Sequence, residues 1–196
     1  MSSGLAGVGG IAADLHHYLQ ESRESLMGAL DGLDEYAIRR PMTPSATNLL
    51  GLVKHVTGVE LSYLGDCVGR AAPVALPWLE DGSIWDGADM WATADQTRDY
   101  LMGLYRTAWA HSDASIATID LAAPAHVAWW PEERRDTTFG HLLARVAAET
   151  AQHAGHADIV RELLDGRGGR DHAELGDEAW WSEYVDRVQQ AAVLGR

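Results

Sequence analysis

Apolar residues recur at spacings of three and four along most of the chain and alternating runs are nearly absent, which predicts an all-helical fold. The first such stretch runs from Ile11 to Asp34 and carries Leu15, Leu19, Leu26, Leu30 and Leu33 on one side, before Pro41 and Pro44 close the connection. The second begins at 45–48, where Ser45, Thr47 and Asn48 offer side-chain oxygens to free helix N–H groups, and its stripe is Leu49, Leu52, Val56, Val59 and Tyr63. A third starts at Thr93, paired with Gln96 in a capping-box pattern, and continues through Leu101, Leu104, Ala108, Ile116 and Ile119. The fourth is capped by Asp136 or Thr137, runs to Leu164 and stops at Gly166. After the turn DGRGGRDH, Asp177 caps a short amphipathic helix expected to bury Trp181, Val185 and Val188. Four long helices of this kind read as a four-helix bundle, and the pattern places residues 1–196 in one domain.

Two connections are too long and too aromatic to be simple turns. Residues 72–92 are rich in Pro, Gly, Asp and Trp, and an irregular loop of this length inside a compact domain is more often functional than idle. It carries Trp78, Trp85 and Trp91, and the connection 122–136 carries Trp129 and Trp130. These rings either plug the open end of the bundle or wall a pocket.

With 196 residues the chain is the size of one domain, and its 46% hydrophobic and 22% charged residues are ordinary globular values. The formal charge of -14 makes nucleic acid and anionic lipid unsuitable partners. Cys67 is the single cysteine, which excludes an internal disulfide and a cysteine-based zinc finger. No signal-peptide pattern and no membrane-spanning run are present, so a cytoplasmic address is expected.

Chemistry concentrates in the fourth helix. Its inward stripe reads Phe139, Leu142, Val146, Glu149, His153, His156, Val160, Leu163, with three polar residues interrupting the core. A glutamate facing a bundle interior costs several kcal/mol unless it is paired or bound to a cation. Glu149 and His153 stand one turn apart, about 6 Å along the axis, close enough to converge on one metal ion. His55, at the edge of the second helix's apolar stripe, is the candidate third ligand. Two imidazoles and a carboxylate suit zinc or another first-row divalent ion, with positions left open for water or substrate. The competing account is a buried polar cluster in which Glu149 and His153 pair with Arg145 or with a partner helix and no metal binds. His156 has three candidate roles: fourth ligand, support for a ligand, or substrate contact. The remaining histidines, His16, His17, His111, His126, His141 and His172, read as surface or packing residues. Phosphate loops, His-Glu-x-x-His helices, nucleophile elbows and the paired Glu-x-x-His motifs of di-iron bundles are all absent.

The second-helix histidine and the fourth-helix string ETAQHAGHADIVREL resemble the DinB superfamily of metal-binding four-helix bundles, over Asp14 to Gly166. The ordered segments TPSATNLLGLVKHVTGVE, DGADMWATADQT and AWWPEERRDTTFGHLLARVAAETAQHAGHADI are similar to the actinobacterial branch of mycothiol-dependent transferases. Many DinB bundles have His-x-x-x-His in the fourth helix; Glu149 in the first of these places is similar to mycothiol-dependent maleylpyruvate isomerase, where His, Glu and His hold zinc. The resemblance therefore implies His55, Glu149 and His153 as metal ligands, zinc as the metal and mycothiol as the thiol cosubstrate, with bacillithiol and glutathione as alternatives. It implies a metal-dependent transferase that activates the thiol as thiolate and adds it to an electrophilic small molecule, in detoxification or secondary metabolism. His156, Arg145 and Trp78 are the candidate substrate-facing or supporting residues, no further protein nucleophile is expected, and a homodimer fits the family. The alternative is a metal- or ligand-binding stress or accessory protein on the same bundle.

Overall fold

The computed structural model describes residues 10–169 and 172–195. Helix α1 spans Ile11–Gly28, a short α2 spans Glu35–Arg39, and α3 spans Leu49–Leu64. The following loop contains a one-turn helix α4, Pro77–Glu80, and 3₁₀ turns at Ser83–Asp86 and Ala88–Met90. Helix α5 is Arg98–Thr118, strands β1 and β2 are Pro124–His126 and Asp136–Thr138, and α6 is Phe139–Asp165. A turn, α7, at His172–Leu175 and a last helix, α8, at Glu178–Leu194 complete the chain. The side chain of His172 and part of the turn before it lie outside the described residues.

The bundle is built from α1, α3, α5 and α6, with α1 against α6 and α3 packed on both α5 and α6. Helix α3 is its central element. Every residue of α3 is buried except His55, Val59 and Ser62. Those three follow one another at spacings of four and three, so the helix leaves a single narrow stripe open. Full burial of leucines and valines such as Leu50, Leu52, Val53, Val56 and Leu61 contributes about 1.5–3 kcal/mol each before entropy is charged against it.

Polar caps set the boundaries. Asn48 accepts from the N–H of Gly51 at 2.8 Å to start α3, and Thr138 starts α6. Gly166, at φ 74°, ends α6 in the left-handed conformation that favours glycine. Asp177 caps α8 as its sequence predicts.

Several boundaries depart from the sequence reading. The first helix does not run to Asp34: it ends at Gly28, and Asp34 instead accepts from the N–H of Ala37 and caps a separate α2. The glycines at 28 and 32 weaken helix propagation enough for the chain to turn there. Helix α5 begins at Arg98 with Thr97 as its cap, not at Thr93. Thr93 and Gln96 do bond to each other, yet they close a turn ahead of the helix. The fourth helix starts after Asp136 and Thr137, because those residues pair with His126 and Ala125 in a three-residue antiparallel ladder. Such short strands show no usable alternation. Val185 and Val188 of α8, expected inward, are 60% and 53% exposed, because the four long helices already enclose the core.

The stripe of α6 is also rotated from its predicted setting. The buried side includes Leu143, Ala147, Thr150, Ala154, Ala157 and Arg161 alongside Phe139, Leu142, Val146 and Val160. Its alanines allow close approach of the neighbouring helices. Glu149 and His153 consequently sit at the border of the core, while His156 and Leu163 face outward.

Candidate metal centre

The border position of Glu149 and His153 faces the open stripe of α3. His55 Nε2 lies 3.6 Å from Glu149 Oε1, and His153 Nε2 lies 3.5 Å from the same oxygen. All three donor atoms fall within 4.8 Å of one another. A tetrahedral ion with bonds of about 2.0–2.1 Å separates its ligand atoms by roughly 3.4 Å, so the set can close on a cation with small side-chain rotations. The side chains are neither sealed nor free: His55, Glu149 and His153 are 20%, 25% and 14% exposed. This donor set, two imidazole nitrogens and one carboxylate, fits a divalent first-row metal.

The outer face of His55 is occupied by a residue that the sequence did not single out. Asp89, buried in the loop between α4 and α5, places Oδ2 2.6 Å from His55 Nδ1. Burial disfavours charge on His55, but the hydrogen bond and charge of Asp89, reinforced by Glu149, raise its pKa above the ordinary histidine value. A proton on Nδ1 donated to Asp89 leaves Nε2 free to act as a ligand. His153 has the opposite balance: burial, and then the neighbouring charge of His55, lower its pKa. No spacing rule finds Asp89, because it reaches the site from an irregular loop; its only signal is a carboxylate in the Trp-rich segment.

The ligand cluster opens into a cleft of about 480 Å³ whose lining includes His55, Val59, Ser62, Trp85, Trp129 and Glu149. The three uncovered residues of α3 thus line one cavity. Arg145 also lines it, with its guanidinium 5.1 Å from the centre of Tyr63 and 5.6 Å from that of Trp130. Its Nη2 lies 3.8 Å from Glu149 Oε2, a loose ion pair at a distance too long for a direct hydrogen bond. His156 is on the solvent side, with Nδ1 3.4 Å from Nδ1 of His153. Trp78, expected near substrate, is 2% exposed in the core beneath the loop and does not line the cleft. The loop tryptophans therefore divide: Trp85 and Trp129 wall the cavity, Trp78 packs, and Trp91 rests half-exposed near Lys54.

Other histidines have local partners. His16 bonds Asp113, His111 meets the carbonyl of Arg70, and His126 bonds Asp136. Cys67 is buried, and burial together with Asp66 pushes its thiol up to about 12, leaving it protonated at neutral pH.

Residues 14–166 match the family described as mycothiol-S-transferase. The chain belongs to that family. Its bundle is the DinB-like fold that the ETAQHAGHADIVREL segment implies. A conserved protein from Enterococcus faecalis, known from its crystal structure, superimposes with a TM-score of 0.62 at 13% identity, covering 81% of this chain and 99% of that one. At that identity the likeness is one of fold alone. No curated protein matches the chain. The mycothiol-S-transferase region ends at the Gly166 cap of α6, so it contains the three-residue cluster, Asp89 and the whole cleft lining, and leaves α7 and α8 outside. Among the described residues no helix is long and apolar enough to cross a membrane.

Proposed function

We propose that this mycothiol-S-transferase family member is a metal-dependent enzyme in which His55, Glu149 and His153 hold a divalent cation, with zinc the best match to the donors. The observation that carries this reading is the convergence of His55 Nε2, Glu149 Oε1 and His153 Nε2 beside an open cleft. A divalent cation held by these residues would supply the lowering of a bound thiol's pKa that makes thiolate available at neutral pH. The protein's own thiol is not suited to that task, since Cys67 is buried and protonated.

The chain's residues supply position and environment. Glu149 would neutralise part of a bound cation's charge, and Asp89 fixes the tautomer and orientation of His55. The cleft, at about 480 Å³, has room for part of a thiol cosubstrate and a small electrophile together. Trp85 and Trp129 line the cleft, where their rings can contact a sugar-bearing thiol such as mycothiol or an apolar electrophile. The thiol proton passes to solvent, the sulfur forms a new C–S bond, and the electron pair it displaces leaves with a departing group or, in conjugate addition, takes a proton back from solvent. Arg145 projects its guanidinium over the aromatic wall, where it can bind a polar group of either substrate.

Metal content and thiol consumption measured together test the proposal. Wild-type protein is expected to retain about one divalent ion and to consume mycothiol with model electrophiles, whereas His55→Ala and His153→Ala lose both and stay helical. Full metal occupancy in both variants overturns the ligand assignment. Metal binding without thiol turnover replaces the transferase by a metal- or ligand-binding protein on the same bundle.

A further inference from the structure

Lys54 is the single lysine of the chain, and it precedes His55 in α3. It is 2% exposed. Its ammonium group donates to the carbonyl of Ala88 at 2.5 Å, the carbonyl of Trp91 at 2.9 Å and Oε1 of Gln96 at 2.9 Å. Those three oxygens account for all three protons of the group. The face of Trp78 lies 4.4 Å from Nζ and covers the cation on another side.

The cage lies at the segment that carries Asp89. The carbonyl before Asp89, that of Ala88, is held by Lys54; the carbonyl after it, that of Met90, accepts from Asn48 Nδ2 at 3.2 Å. Between these two contacts on α3 lies Gly51, where a Cβ would stand 1.9 Å from the oxygen of Met90. Asn48, Gly51 and Lys54 follow at intervals of three along α3, forming a docking face for the loop. The absence of a side chain at 51 lets the backbone settle against the helix, and the carbonyls of both residues that neighbour Asp89 are held by α3 side chains. His55, the next residue along, is the one that Asp89 meets.

We infer that Lys54 is a positioning residue which, with Asn48 and Gly51, clamps the 88–91 segment onto α3 and so delivers Asp89 to His55. The inference rests on the metal-site reading for its effect on affinity, but the clamp itself is a property of the chain without metal. Lysine suits the task because a compact tetrahedral ammonium can address three oxygens at once, whereas the planar fork of arginine is shaped for paired acceptors. The same clamp ties the loop that contributes Trp85 to the cleft wall, so cleft and ligand orientation share one anchor.

The test uses the full chain and two readouts. In metal-free protein, nitrogen-detected NMR of the histidine rings is expected to show His55 with its proton on Nδ1 in wild type, and to lose that signature in Lys54→Met. Zinc affinity, measured by competition with a chromophoric chelator, is expected to fall about 10–100-fold in Lys54→Met and in Asp89→Asn alike. The double variant should be no weaker than the worse single one, because both remove the same support. Gly51→Ala keeps the lysine charge but pushes on Met90, and is expected to lose the same NMR signature; it also decides the matter where Lys54→Met fails to fold. A wild-type Nδ1–H signature in folded Lys54→Met, or in Gly51→Ala, overturns the clamp, as do losses in zinc affinity that multiply in the double variant. Absence of zinc binding in wild type would instead overturn the metal reading, and the ring spectra would still decide on the clamp.

Discussion

Asp89 and His55 come from different kinds of structure, a loop and the most buried helix of the bundle, yet their Oδ2 and Nδ1 atoms meet at 2.6 Å. The contact sets the ring so that Nε2 points toward Glu149. Removing the carboxylate charge while keeping the shape, in Asp89→Asn, is expected to weaken zinc binding about 10–100-fold, the usual cost of losing a partner behind a histidine ligand. Helix content by circular dichroism should be unchanged. Wild-type affinity in the variant would show that Asp89 does not support the ligand.

Metal affinity should depend on pH with a sign fixed by His55. Burial opposes its charge, but Asp89 and Glu149 raise its pKa above the ordinary value of 6.5 in the metal-free protein. A metal has to displace that proton, so affinity is full above the raised pKa and falls as pH drops through it. The fall begins at a higher pH than for a histidine without such partners. Chelator competition between pH 5.5 and 8.5 checks the direction, and Asp89→Asn should move the onset of the fall to lower pH.

How much of this was readable in sequence differs element by element. The bundle and the Asn48, Gly166 and Asp177 boundaries follow from local spacing and capping, whereas spacing offers His55 only as a candidate partner of Glu149 and His153 and the family resemblance is what groups the three. The rotation of α6 does not, because Leu142, Leu143, Val146, Ala147, Ala154 and Ala157 are compatible with two neighbouring stripes, and only packing chooses between them. That choice moved His156 outward and left Glu149 at the rim. Asp89 and the Lys54 cage depend on a loop path that no periodicity encodes. Arg23 was not singled out, although it lies between Leu19 and Leu26 at helical spacing, a charged residue in an apolar stripe.

Arg23 is fully buried and meets Glu60, also fully buried, through two bonds, Nε to Oε1 at 3.0 Å and Nη2 to Oε2 at 2.5 Å, while its other nitrogen reaches Asp113. Burial raises the pKa of Glu60, and Arg23 opposes that effect. Glu60→Ala leaves the buried Nε and Nη2 of Arg23 without a partner and is expected to cost about 3–5 kcal/mol by urea denaturation, as is Arg23→Ala, which leaves Glu60 buried without its cation. Replacing both with apolar residues of similar size, Arg23→Met with Glu60→Leu, should recover most of the loss. A double variant as unstable as the sum of the singles would show that packing, not the stranded charge, dominates.

Cys67 provides a control on which thiol reacts. Its pKa is pushed up to about 12 by burial and then by Asp66, so at pH 8 almost none is thiolate in the folded protein. Iodoacetamide should label it slowly under native conditions and rapidly in urea. Because the residue offers no nucleophile, Cys67→Ala is expected to keep thiol-transfer activity, and abolition of activity in a folded Cys67→Ala protein would move the chemistry onto the protein's own sulfur.

Trp85 separates substrate binding from metal binding. Its side chain is 75% exposed and lines the cleft, so replacing it removes little of the core. Trp85→Ala is therefore expected to leave stability within about 0.5 kcal/mol of wild type, as for other surface changes. It should also leave metal content unaltered, because none of His55, Glu149, His153 or Asp89 depends on the ring for its contacts. The loss should appear in the KM for thiol or electrophile, at about 10-fold for the removal of one stacking face worth roughly 1–1.5 kcal/mol. Steady-state kinetics with each substrate varied in turn assign the ring to one of them: a KM change confined to the thiol places the sugar-bearing cosubstrate against Trp85, and a change confined to the electrophile places the acceptor there. Unchanged constants for both would remove Trp85 from the binding surface and leave the rest of the lining, Trp129 and Arg145 included, as the walls that matter.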